Sequence, residues 1–374
     1  MKKTWVALAV AGAFAAGAAQ AQSSVTLYGI IDVNYIWQEL PTNVGTAAAP
    51  RIAQESFSAI NSGHQSGSRW GLRGSEDLGG GLKAIFTVEG GYSNDTGALG
   101  QGGLLFGRQA WAGLQGGWGS VVAGRLASFS SGTGSFDMFG RTDPFLTGFG
   151  LASLGNTFYS ANALRIDNTV AYQSPKWAGF QAGIGYSTRI AGNEVAPSSA
   201  NTDAFISAVN WEAGPFWASV TYDQIDNPIG GSDQKHLQIG ATFDLGPVRL
   251  HGGFADQSNI GAIPGGPTGG TGSFLVLPAG FRPFDTNAYM LGVTWKFGAF
   301  SVLGSFQMQD ADSQTNAAGA TFDPDFDIWS LGATYNLSRR TNLYASYAQR
   351  NADGTFSADA FDAKQFAVGM RHLF

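Results

Sequence analysis

The sequence predicts an all-β fold, an antiparallel sheet of sixteen strands closed into a barrel that crosses a lipid bilayer. Three observations carry that prediction. Apolar and polar side chains alternate with a period of two along segments of about ten residues. The connections between these segments are short and long in strict alternation. Charged residues make up only 13% of the chain, as do aromatics, whereas an average soluble domain is about 25% charged.

The first segment sets the pattern. Val25, Leu27, Gly29, Ile31, Val33, Tyr35 and Trp37 share one face, with Thr26, Asp32, Asn34 and Gln38 on the other. Successive strand residues point to opposite sides, so one face is apolar and the other wet. Phe216, Ala218, Val220 and Tyr222 repeat the pattern against Trp217, Ser219, Thr221 and Asp223. Leu237, Ile239, Ala241, Phe243 and Leu245 do so against His236, Gln238, Thr242 and Asp244. Tyr289, Leu291, Val293, Trp295 and Phe297 form another apolar face. In the last segment Phe366, Val368, Met370, His372 and Phe374 oppose Ala367, Gly369 and Arg371.

Short connections fall at 76–81, 116–119, 174–179, 212–215, 244–247, 297–299 and 337–341. They carry Gly, Pro, Asp or Ser, as tight turns require. Long ones run near 39–66, 94–103, 127–163, 190–202, 225–234, 256–285, 310–325 and 351–360. Seven short turns and eight long loops join sixteen strands, each close to the roughly 9 to 11 tilted residues that cross a bilayer. An even number puts both termini on the short-turn side and lets the first strand pair with the last. Closure is obligatory, because each unpaired backbone group in hydrocarbon costs several kcal/mol.

A secreted soluble sandwich or propeller would also alternate, but its wet faces would be rich in Lys and Glu. Here those faces carry mostly Gly, Ser, Thr, Asn and Gln, while Tyr, Trp and Phe gather near strand ends, as in the girdles at the two membrane interfaces. A helical membrane protein is excluded. Beyond residue 20 no apolar run approaches the roughly 20 residues that a spanning helix needs.

Residues 1–21 have a separate character. Lys2 and Lys3, an apolar run from Trp5 to Ala19, and Ala19-Gln20-Ala21 are the parts of a secretory signal peptide. Cleavage after Ala21 leaves a chain starting at Gln22, with 22–374 as the barrel domain. Without the two lysines, 27 acidic residues face 19 basic ones, so the formal charge moves from −6 to −8. An exported acidic protein argues against nucleic acid as a partner. With no cysteine, disulfides, thiol catalysis and cysteine-ligated metals drop out.

Four segments together resemble a known family. They are Ser-Ser-Val-Thr-Leu-Tyr-Gly-Ile-Ile-Asp (23–32), Ser-Arg-Trp-Gly-Leu-Arg-Gly-Ser-Glu-Asp-Leu-Gly-Gly-Gly-Leu-Lys-Ala (68–84), Gly-Arg-Gln-Ala-Trp-Ala-Gly-Leu (107–114) and the terminal His-Leu-Phe (372–374). With the signal peptide in front, they look like general diffusion porins of Gram-negative bacteria, of the β-proteobacterial type, in which Phe374 stands as the C-terminal outer-membrane signature. The resemblance implies short periplasmic turns, long extracellular loops, and a homotrimer in outer-membrane lipid and lipopolysaccharide. It also implies one water-filled pore per barrel for ions and small hydrophilic solutes, narrowed by the third long loop, 127–163, folded inside. That loop reads Ser-Phe-Asp-Met-Phe-Gly (135–140) and departs from the Pro-Glu-Phe-Gly-type motif common in such loops. By the same resemblance the second loop, 94–103, latches onto a neighbouring subunit.

A sixteen-stranded barrel is wide enough to hold water, so selectivity rests on width and on charge at the narrowest section. Counting from the short turns puts Arg69, Arg108, Arg125 and Arg165, on the second, fourth, fifth and sixth strands, at similar height near mid-strand. Arg73 and Lys83 share that wall nearer the turns. From the ninth to the fifteenth strand no comparable basic column is expected, Arg249 and Lys296 lying close to short turns. The functional reading is a basic wall facing loop carboxylates Asp137 and Asp143, with a transverse field and a modest preference for anions. In the structural alternative these arginines pair with Asp137, Asp143, Glu89 or loop carbonyls and hold the loop in place. The net charge argues weakly the other way, but distant charges are screened beyond about 8 Å at physiological salt.

Other readings are weaker. Asp310, Asp312, Asp323, Asp325 and Asp327 flank the seventh loop but fit no Ca²⁺-binding spacing, and Gly265-Gly266 with Gly269-Gly270 lack the Lys of a phosphate loop. No cofactor and no metal site is expected. His64, His236, His251 and His372 show no spacing with Ser or carboxylate that recommends a triad, so a barrel enzyme ranks low. A channel specific for a sugar or organic acid remains the main alternative, although Tyr28, Trp217 and Tyr344 form no continuous aromatic track. A non-conducting adhesin or anchor is the third.

Overall fold

The computed structural model describes residues 23–43, 52–158, 164–227, 231–260, 283–315, 321–352 and 362–374. The expected signal peptide with Ala19, Ala21 and Gln22, the end of the third loop, and most of the sixth and eighth loops lie outside these residues.

The strands in chain order are β1 Ser24–Asn43, β2 Ile52–Ser62, β3 Arg69–Gly79, β4 Leu82–Gly91, β5 Gln109–Gly116, β6 Gly119–Ala127, β7 Arg165–Gln173, β8 Phe180–Ser187, β9 Ala204–Ala213 and β10 Phe216–Ile225. They continue as β11 Gln234–Leu245, β12 Val248–Ile260, β13 Phe284–Phe297, β14 Phe300–Ala311, β15 Gln314–Thr315, β16 Thr321–Phe322, β17 Phe326–Asn336, β18 Thr341–Ala352 and β19 Ala363–Leu373. β15 and β16 form a small hairpin within the seventh loop. All the others belong to one antiparallel sheet in which β1 pairs with β19 from Ile30 to Glu39, closing the barrel. β2 and β3 lie end to end in one position of the wall. β2 pairs with Val33–Asn43 of β1, and β3 pairs with Ser24–Ile30. The sheet's seventeen strands therefore occupy sixteen positions.

This corrects the expected first loop. Among the described residues of 39–66 the chain continues β1 to Asn43 and returns as β2 from Ile52, and 63–68 form a bend between β2 and β3. The outer end of this hairpin carries Gln54, Glu55, Ser56 and Ser58, with little of the alternation that a lipid-facing strand requires, which is why periodicity does not reveal it.

Large apolar side chains stand exposed on the outer face, Leu291 at 71% and Val25 at 64%. The inner face packs against the third loop. Phe129, Phe136 and Met138 of that loop lie against Trp111, Val122, Ile206 and Ile225. Phe139, Leu154 and Phe158 meet Ala255, Ala288 and Met290, and Phe145, Phe149 and Leu151 meet Leu303, Ile328, Tyr344 and Ala348. The wall makes room for them. A Cβ on Gly240, Gly292 or Gly332 would lie 2.0, 2.7 and 2.7 Å from Thr142, Pro144 and Phe145 respectively.

At the seam, Gly29 and Phe374 exchange both backbone hydrogen bonds at 3.1 Å, and the Phe374 ring covers Gly29 so closely that a Cβ there would sit 2.2 Å from its Cζ. Gly29→Val should therefore displace the ring and weaken closure, costing about 1–3 kcal/mol as overpacking does. The check is a lower thermal midpoint of the folded barrel followed by circular dichroism, with Val25→Ile on the same face unchanged.

Candidate pore constriction

The loop that follows β6 turns inward because the wall offers it acceptors and donors at every step. Ser219 donates to the Met138 carbonyl at 2.7 Å, Gln257 to Thr157 at 2.8 Å and Gln307 to Ala152 at 2.9 Å. Gln307 also accepts from the Thr157 hydroxyl, and Gln365 accepts from the Leu151 N–H, both at 2.8 Å. The neutral polar face of the strands is thus a hydrogen-bonding bed for irregular backbone, which has no ladder of its own. At the tip, the Phe149 N–H donates to the His64 carbonyl at 2.5 Å. The His64 ring stacks on Tyr344 and meets Phe149 edge-on. The bend at 63–68 is therefore a second inward element, bracing the first.

Among the described residues no salt bridge joins Asp137 or Asp143 to the arginine wall, whose carboxylate partners are Glu89 and Asp167. Asp143 is buried and accepts N–H groups from Phe145 (2.8 Å), Thr147 (2.8 Å) and Leu154 (2.9 Å), tying the two limbs of the loop together. Burial pushes its carboxyl up to about 6 and these N–H bonds hold it down. Asp137 takes the N–H groups of Phe139 and Gly140 at 3.1 and 2.9 Å. Short carboxylates in turns satisfy nearby backbone donors, and both are used in this way.

The basic wall is assembled in part. Arg69, Arg108 and Arg165 lie within electrostatic reach of one another, with Glu89 among them. Arg108 Nε donates to Glu89 at 2.6 Å, Arg69 stands 3.9 Å from the same oxygen, and the Tyr28 hydroxyl donates to Glu89 at 3.0 Å. Arg69 Nε also bonds the Gly67 carbonyl at 2.8 Å, and Arg108 reaches Thr133 of the loop at 3.3 Å. Arg73 is exposed nearer the turns with its guanidinium 5.1 Å from the Tyr28 ring centre. Lys83 is exposed opposite Asp77. Arg125 also lies within electrostatic reach of Arg165. It pairs with Asp167 and with the Gly107 carbonyl, next to a register shift between Gly124 and Leu126.

Basic residues on the other side of the lumen were not expected. Arg141, two residues before Asp143, joins Arg249, Lys296 and Arg371 around a pocket of about 210 Å³ beneath the loop tip. Arg141 bonds Glu212 at 2.6 Å and approaches Asp244 at 3.4 Å, while Arg249 bonds Asp244 at 2.5 and 2.9 Å. The inward parity of Arg371 was legible in the last strand. The position of Arg141 depends on the path of the loop, which no strand period describes.

A family comparison decides what this arrangement is. Residues 7–355 match the family model described as Gram-negative porin. The chain belongs to that family. An outer membrane porin protein of Bordetella pertussis is 38% identical, over 100% of both chains. Outer membrane porin protein 32 of Delftia acidovorans is 33% identical, over 93% of this chain and 89% of its own. Among solved structures, the anion-selective porin from Comamonas acidovorans superposes with a TM-score of 0.70 at 27% identity, covering 94% of this chain and 100% of that one.

This porin is an outer-membrane channel and not an enzyme. Ser130, Asp223 and His236 do come together, but the Ser130 hydroxyl donates to Asp223 and His236 Nδ1 lies 3.9 Å from that same carboxylate. All three are buried. A triad needs the histidine between serine and carboxylate, so this cluster anchors the loop root. Among the described residues no group of three or more His, Asp or Glu could hold a metal. Asp325 accepts the Ala311 N–H at 2.6 Å and Asp327 accepts from Asn351 at 2.9 Å.

Glu89 is the carboxylate closest to the arginine group, so Glu89→Gln should raise the anion-to-cation permeability ratio of this porin by about 2-fold or more, one charge being large at such close quarters. Single-channel recordings in a KCl gradient check the direction.

Proposed function

We propose that this porin lets ions and small hydrophilic solutes diffuse through a water-filled pore with a modest preference for anions, and that it works as a homotrimer in outer-membrane lipid and lipopolysaccharide. The observation that carries the preference is the charge at the level of the loop. Arg69, Arg108 and Arg165 share a single carboxylate, Glu89, and the loop carboxylates are bound to backbone N–H groups. Fixed charge at a constriction raises the local concentration of the opposite ion. The anion-selective relative supports the same sign. Nothing in the arrangement has to move for solutes to pass.

The trimer is supported by the outer face of β5 and β6. Ala110, Ala112 and Ala123 occupy positions beside Leu114 and Val121, where other strands carry aromatics. Leu104 and Leu105, following the second long loop, are 48% and 52% exposed. Small side chains allow close approach of another wall within the bilayer, and exposed leucines on a loop suit burial by a neighbour.

Reversal potentials across a planar bilayer in a KCl gradient test the preference. Chloride should be favoured over potassium, and Arg69→Gln should lower the ratio by about 2-fold or more. A cation preference in the wild type overturns the reading. Liposome swelling with solutes of graded size addresses breadth: a smooth cutoff supports diffusion, and a single outlying sugar or organic acid supports a substrate-specific channel.

A further inference from the structure

The pocket beneath the loop tip combines two kinds of surface that an unselective aqueous pore does not need. One side is apolar, formed by Pro144, Phe145 and Leu146, and the other carries Arg249, Lys296 and Arg371. Leu146 is 66% exposed. Its backbone is left-handed at φ 51°, followed by Thr147 at 58°. Non-glycine residues avoid this region, and a β-branched threonine there is a clear outlier. The conformation is held by the Thr147 N–H on Asp143 (2.8 Å), the Gly148 N–H on the Phe145 carbonyl (3.0 Å) and the Phe149 N–H on His64. Strained backbone that is fixed from several sides, and that presents an apolar side chain to water, marks a contact made with something that passes.

The charged side has a consistent direction. Asp244 and Glu212 bond Arg249 and Arg141 and do not line the pocket, nor does the buried Asp32, which lies beyond Arg371. Asp143 lines it with both oxygens turned to backbone N–H groups. Lys296 is exposed and, among the described residues, forms no salt bridge. His251 is fixed between the Thr142 carbonyl and the Thr294 hydroxyl, each at 3.0 Å. Cations thus face the pocket and carboxylates stand one layer behind them.

We propose that this pocket is a subsite for amphipathic organic anions, a carboxylate or sulfonate on a compact hydrophobic body, with Leu146 contacting the body and Lys296, assisted by Arg371, contacting the charge. The subsite deepens the anion-preferring reading by naming a solute class. A solute held at two points is retained longer than a small hydrophilic anion that touches only charge, since burial of its apolar part adds to the attraction.

The test uses the full-length porin in planar bilayers with three probes added to KCl: 4-ethylbenzoate, acetate and 4-ethylbenzylammonium. 4-Ethylbenzoate should reduce the current saturably, with a half-saturation about 10-fold or more below that of acetate, a difference within the range that apolar contacts supply. 4-Ethylbenzylammonium should have no saturable effect. Leu146→Asn suits the left-handed backbone and preserves charge, and it should raise the half-saturation about 5-fold or more, as should Lys296→Gln. Equal behaviour of 4-ethylbenzoate and acetate overturns the subsite, as does equal block by the cation or an unchanged half-saturation in both variants. A wild-type channel that prefers potassium yet still shows block by 4-ethylbenzoate dependent on Leu146 would refute the ion preference and leave the subsite standing.

Discussion

Backbone hydrogen bonding in hydrocarbon is the constraint on which the rest of this molecule depends. No strand in the bilayer can be left with an open edge, so β1 must find β19, and the two pair over ten residues with Gly29 and Phe374 locking the lower end. Sixteen positions then enclose a lumen too wide for strand side chains to fill. A long loop inside is the consequence, and its phenylalanines form with the inner wall the core that a soluble protein of this length would place between layers.

Putting irregular backbone in that position creates a demand for acceptors. Among its described residues the loop between β6 and β7 has only short helical turns at Gly140–Thr142, Gly150–Ala152 and Gly155–Phe158, leaving many N–H groups to be met by side chains. Carboxylates meet this demand well, and Asp143, Asp137 and Asp32 are all committed to it: Asp32 accepts from the Ser66 N–H at 2.6 Å and from the Tyr344 hydroxyl at 2.5 Å. A guanidinium has no acceptor and cannot substitute. Acidic residues of the lumen are therefore drawn into structure while Arg69 and Arg165 stay partly exposed, which is how a chain of formal charge −6 acquires a basic passage.

How much of this the sequence exposes follows the same physics. Lipid imposes a strict period on every spanning strand, so the short turns and most of the long loops sit where alternation stops. Where lipid imposes nothing, the signal fades: β2 looks like loop because its outer end is polar on both faces. At the site, Arg69, Arg108 and Arg165 converge as counting suggests, since they hang from regular or nearly regular strands. Arg125 joins them beside Arg165, with Asp167 as its own partner, whereas Asp137, Arg141 and Asp143 are oriented by turns whose directions no periodicity encodes. The inward bend at 63–68 is equally hidden, since His64 and Gly67 reveal their roles only against Tyr344, Phe149 and Arg108.

The claim that arginines outnumber carboxylates along the passage can be seen directly by locating the ions. Anomalous diffraction from crystals of this porin soaked in bromide, and separately in rubidium, would place anions and cations independently. Bromide peaks are expected in the lumen beside Arg69 and Arg165, with rubidium confined to the carboxylates of the outer loops. Rubidium in the lumen at the level of the loop, with bromide absent there, would contradict it.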